Sequence, residues 1–163
     1  MHGGRAVTLF EVFDWLELTA IGEVVRGSIW LFPAIEAVHL LALGMIGGAV
    51  LVVDLRLLGA GLRDQALPKV ARNAHPWLVG SLAAMVLTGV PLFLSEAVKC
   101  YFNPSFWVKM VTLVIAVAFA FGVRRRVADG RWQTGARVQK LTGATSITLW
   151  FVVAAAGRWI GFS

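Results

Sequence analysis

Four stretches of about 20 predominantly apolar residues dominate the chain, each long enough to cross the roughly 30 Å hydrocarbon core of a bilayer as a helix. They cover residues 32–53, 77–95, 106–123 and 141–160. Composition agrees. Of 163 residues, 58% are hydrophobic and 15% charged, whereas an ordinary soluble domain carries about 25% charged residues. This balance excludes a disordered chain and a nucleic-acid domain with a broad charged surface. Cys100 is the single cysteine, which excludes a disulfide scaffold. The fold class that follows is all-α: an integral membrane four-helix bundle (residues 29–163) preceded by an amphipathic interfacial segment (residues 1–28).

Turn and charge signals bound the spans. Pro33 suits the first turn of helix one, where a missing N–H is harmless. Pro76 predicts the same role at the start of helix two. Asn103-Pro104-Ser105 opens helix three, and Arg124-Arg125-Arg126 closes it. Pro91 lies inside the second span, where the missing N–H and the ring clash predict a kink. Residues 8–25 are apolar enough for a helix, but Glu11, Asp14, Glu17 and Glu23 exclude a fifth span. Their spacing sets an acidic face opposite Leu9, Phe13, Leu16 and Ala20, which predicts one helix lying along the interface. The segment lacks the apolar region and small-residue cleavage site of a signal peptide.

The fifteen Lys and Arg against nine Asp and Glu give a net charge of +6, and the excess is clustered. One long connection holds Arg56, Arg63, Lys69 and Arg72; the other holds Arg124, Arg125, Arg126, Arg131, Arg137 and Lys140. The opposite side has Arg5, Arg26 and Lys99. The positive-inside rule therefore places both long loops in the cytoplasm and both termini on the outer, periplasmic side of a multi-pass protein. Short connections predict an up-down-up-down bundle. Gly44 and Gly48 form a small-xxx-small patch, which serves close packing inside the bundle or between protomers of a homo-oligomer.

Ionisable groups at bilayer depth are expensive and mark function by default. Glu36 and His39 share a face of helix one, Lys109 lies in helix three and Arg158 near the end of helix four. At 1.5 Å per residue, His39 sits about 10 Å below the outer boundary, Lys109 roughly 5–6 Å and Arg158 within about 3 Å. Glu96 caps helix two on that side. The polar groups thus gather in the outer half, above an inner half that reads as almost purely apolar. Lys109, Thr112, Ala116 and Ala120 form a stripe of small residues, with room for another helix or a flat group. His75, roughly 20 Å from His39 along the bilayer normal, reads as an interfacial histidine.

The string Glu36-Ala-Val-His39 through Gly44 and Gly48 to Val53-Asp54-Leu55-Arg56, with Asn103-Pro104-Ser105 leading to Lys109, resembles a family of bacterial four-span membrane proteins. More distantly it is similar to HemJ-type protoporphyrinogen oxidases and to the CopD-like copper-resistance membrane domain. The HemJ-type resemblance implies a haem b site in a bacterial inner (plasma) membrane, with His39 as its histidine and Lys109 as its lysine. Neutral imidazole is a normal axial ligand of haem iron, Glu36 is placed to orient it, and Arg158 and Lys109 suit the propionates. Lys109 or Met85 is available as sixth ligand. The reading is a haem b membrane protein in redox or electron transfer, a possible membrane oxidoreductase with a quinone or redox-protein partner. The alternative is a structural or assembly subunit in a homo-oligomer or larger complex. Copper handling fits less well, because the four Met and one Cys are scattered where Cu(I) prefers clustered soft ligands.

Overall fold

Leucine-, valine- and alanine-rich runs free of internal caps fold here as helices longer than the hydrocarbon core of a bilayer is thick. The computed structural model describes residues 7–162. It contains two short helices, α1 (Leu9–Glu17) and α2 (Ala20–Gly27), followed by α3 (Leu31–Leu58) and α4 (Leu67–Ser95). A short α5 (Ala97–Phe102) leads into α6 (Pro104–Ala128) and α7 (Ala136–Ile160). No strand occurs among the described residues. Four of these helices (α3, α4, α6 and α7) are long and apolar enough to cross a membrane. The protein is a multi-pass, all-α membrane protein.

The helices overrun the apolar spans. Helix α4 has 29 residues, about 43 Å at 1.5 Å per residue. It starts at Leu67 with Pro68 in the first turn, the position that tolerates a missing amide. Pro76, which the apolar run marks as the start of this helix, instead lies inside it, as does Pro91, and the helix runs unbroken through both. Helix α3 ends where Gly59 takes the left-handed conformation, with φ of 73°, which glycine adopts without a Cβ penalty.

Around the bundle the order is α4, α3, α7, α6: α3 packs on α4 and α7, and α6 on α7. The α4–α6 seam is closed by longer side chains, with Phe93 stacked on Phe106 at 5.5 Å near one end and His75 edge-on to Phe121 at 6.0 Å near the other. Ile46, Val50, Leu78, Ala116, Ala120, Trp150 and Val153 form the main core. The small face of α6 at Ala116 and Ala120 thus packs in one cluster with the flat Trp150 side chain. A Cβ added at Gly44, Gly47 or Gly48 would meet nothing within 4 Å, so this patch does not serve packing within the chain.

The half of the bundle away from the termini is not purely apolar. Asp54 is fully buried, and Arg124, which the sequence suggests as a loop charge, turns into the bundle to meet it. The Arg124 Nε donates to Asp54 Oδ1 at 2.5 Å, and Nη2 donates to the Val50 carbonyl at 3.1 Å. The buried Ser146 hydroxyl of α7 lies close to the same carboxylate. The arginine triplet does not close helix α6. A π-helical turn over Ala120–Arg124 accommodates one extra residue, and the helix continues to Ala128.

At the other end, the N-terminal stretch expected as one helix is two. Thr8 and Glu11 cap α1 reciprocally, at 2.8 and 3.3 Å, and the Thr19 hydroxyl accepts from the Gly22 amide at 3.4 Å to start α2. Residues 1–6 of the segment lie outside the described residues. The pair is a lid on the bundle end. Phe13 is buried among Ala97, Cys100 and Phe106, and Glu17 accepts from the Val98 amide at 2.6 Å while pairing with Arg26 at 3.1 Å. Gly22 makes the docking possible, because a Cβ there would stand 2.5 Å from the Leu94 carbonyl oxygen and 2.8 Å from that of Glu17. Gly22→Ala should therefore loosen the lid by about 1–3 kcal/mol, the usual range for forced overpacking. Tryptic cleavage after Arg26 in micelles should accelerate relative to the parent protein, with the four spans intact.

Candidate functional site

Three spanning helices, α3, α4 and α6, contribute polar side chains to one layer in the half of the bundle nearer the termini, and α7 lies against it. Helix α3 supplies His39, whose Nδ1 lies 2.8 Å from Thr88 Oγ1 on α4. The Thr88 hydroxyl also lies 2.7 Å from the Ala84 carbonyl, one turn back on its own helix. A hydroxyl has one proton, and a carbonyl oxygen can only accept. With the hydroxyl proton directed to the Ala84 carbonyl, Thr88 Oγ1 accepts from His39 Nδ1–H. That arrangement puts the proton of a neutral imidazole on Nδ1 and leaves Nε2 with an in-plane lone pair. Nε2 has no hydrogen-bond partner among the described residues.

One glycine admits the imidazole, and another lies along the lysine. A Cβ at Gly89 would stand 3.1 Å from His39 Cε1, tighter than ordinary contact, so the ring lies directly on the α4 backbone. A Cβ at Gly157 would lie 3.5–3.6 Å from Cδ, Cε and Nζ of Lys109, so the lysine side chain runs along α7. Lys109 and His39 are close enough to interact electrostatically. No carboxylate pairs with Lys109 within salt-bridge distance among the described residues. The layer therefore places an imidazole nitrogen near a lysine amine, with the Phe13 lid closing the end above it.

A family model covers residues 12–163, nearly the whole chain, and its description is a family of unknown function, DUF6644. The chain belongs to the DUF6644 family. No curated protein and no solved structure matches it.

Of the residues singled out in this DUF6644 chain, His39 and Lys109 interact across the layer. Glu36 is exposed on α3, and the partner that orients the imidazole is Thr88. Arg158 turns away over the Phe162 ring, 4.2 Å from its centroid. Met85 packs against the main core. His75 is half-buried against Phe121 at the far end. Thr88, Gly89 and Gly157 escape a sequence reading, because threonine and glycine are ordinary in membrane helices.

Cys100 is outside the spans and 7% exposed. Burial, and then the neighbouring Glu96 carboxylate, push its thiol up to about 11. A thiol held protonated at neutral pH is a poor ligand, since the thiolate is the form that binds metal.

Proposed function

We propose that this DUF6644 chain binds haem b in the polar layer and works in redox chemistry or electron transfer, with its termini and that layer on the outer side of a bacterial inner membrane. The single observation that carries the reading is the imidazole of His39, held through Nδ1 by Thr88 within a membrane span, with Nε2 unpartnered among the described residues. Metal-ligating histidines are held in this way through the other ring nitrogen, and neutral imidazole is the ordinary protein ligand of haem iron. The donor set therefore fits. Bound haem b would supply a one-electron couple, for exchange with a quinone or a redox-protein partner or for oxidation of a porphyrin-like substrate. His39 holds and orients, Thr88 fixes the tautomer, and Lys109 offers either a positive charge to a propionate or, once deprotonated, a nitrogen ligand.

The test is a pyridine haemochrome assay and an absorption spectrum before and after dithionite on purified protein. A Soret band with about one haem per chain, lost in His39→Ala, is the expected result. Absence of a Soret band in the parent, or an unchanged spectrum in His39→Ala, overturns the proposal. The second reading, a cofactor-free subunit of a homo-oligomer or larger complex, draws on the open Gly44–Gly48 face of α3, which leaves room for a helix from another chain. Haem-free protein of full stability and defined oligomeric state favours that reading.

A further inference from the structure

A cavity of about 380 Å³ opens between α4 and the inner end of α6, at the opposite end of the bundle from the polar layer. Its floor is apolar, with Leu78, Ala120 and Phe121. Its rim is basic: Arg72 from α4, Arg125 from α6 and Arg131 from the following loop, all exposed, with Arg124 deeper in the wall. The one acid in the wall, Asp129, lies 3.6 Å from Arg125, and Arg124 is engaged by Asp54. Arg72 and Arg131 have no ion-pair partner among the described residues. Positive charge around this opening therefore exceeds negative charge, at the end of the protein that carries both long basic loops.

We propose that this cavity is a binding site for the headgroup of an anionic phospholipid. Guanidinium groups match the oxygens of a phosphate in a bidentate fork, and basic pockets between spanning helices on the cytoplasmic side are where such headgroups bind. Two features go beyond the general basicity of inner loops. The arginines converge on one opening from two helices, whereas charges that merely set topology can be spread over the surface. The floor beneath them is apolar and reaches toward the core at Leu78 and Ala120, which suits the glycerol and upper acyl chains of a lipid; a phosphate ion from solution has no use for it. The π turn borders the site at both of its ends, Ala120 and Arg124. It lets consecutive arginines serve different ends, Arg124 turned to Asp54 and Arg125 to Asp129 at the rim, and such turns recur at functional sites.

The experiment uses full-length protein in neutral detergent micelles, titrated separately with dioleoyl phosphatidylglycerol, dioleoyl phosphatidylcholine and inorganic phosphate. Native mass spectrometry counts the lipid retained, and thermal unfolding reads the stabilisation. Phosphatidylglycerol should be retained at least about tenfold better than phosphatidylcholine. Arg72→Gln with Arg131→Gln should weaken that retention about 30-fold, at about fivefold per basic residue. Arg137→Gln with Lys140→Gln, the same charge change at the same end but outside the cavity, should leave it unchanged. If the cavity variant fails to fold, Arg72→Lys with Arg131→Lys keeps the charge, removes the fork and should still weaken retention severalfold. Equal retention of the two lipids, equal losses in the cavity and control pairs, or undiminished retention in the lysine pair overturns the proposal. So does inorganic phosphate alone producing the full stabilisation, which would make the site one for a solute anion.

Discussion

Asp54→Ala destabilises the bundle by about 3–5 kcal/mol, the range for removing one partner of a buried ion pair. The carboxylate is fully buried and the Arg124 side chain is 6% exposed, so the mutation strands a guanidinium beside the Val50 carbonyl. Gly143 of α7 brings that helix so close that a Cβ there would stand 2.9 Å from the Asp54 carbonyl oxygen, which leaves little room for relaxation. Asp54→Leu combined with Arg124→Leu should recover most of the loss, because replacing both charges with apolar groups removes the desolvation penalty along with the attraction. Unfolding in mixed detergent micelles, followed by helical circular dichroism, gives the full double-mutant cycle. A double variant no better than the worse single variant would mean that the ion pair itself, and not an orphaned charge, carries the stability.

That pair also shows what a linear reading can and cannot find. Four spans, their alternation and the basic side of the molecule are visible in the sequence because hydrophobic length and Lys/Arg bias are local properties. Arg124 looks like a stop signal because it heads an arginine triplet. The π turn that rotates it inward has no local signature, and its partner lies 70 residues away. A signal was nevertheless present: Asp54 stands between Val53 and Leu55 at the end of a long apolar run, with Leu57 and Leu58 following Arg56, so its carboxylate falls on a helix that is still largely apolar. The start of α4 was hidden for the opposite reason. Lys69, Arg72 and Asn73 make its first two turns polar, and His75-Pro76 then imitates a helix start at the point where the helix merely enters the apolar layer. Of the polar layer, His39 and Lys109 stand out as costly groups in apolar runs. Thr88 does not, since a threonine that bonds back to its own helix is unremarkable until a histidine from another helix lands on it.

Thr88→Val keeps the shape of the side chain and deletes the oxygen that accepts from His39 Nδ1. If the layer holds haem, retention should fall about 10–100-fold, the usual effect of removing the group that orients a ligating histidine. Thr88→Ser restores the acceptor and should return retention close to the parent value. His39→Ala should abolish it. Stability is a separate readout. An unpaired buried imidazole N–H costs about 1–3 kcal/mol, so losing a purely structural His39–Thr88 bond would lower the unfolding free energy of haem-free protein by that amount and change nothing else. The haem reading requires more: a displaced Soret maximum and a shifted reduction potential in Thr88→Val, both reversed in Thr88→Ser, because the hydrogen bond acts on the basicity and orientation of the ring as well as on its burial. A variant that loses stability while keeping its spectrum and potential would assign this layer to helix packing alone.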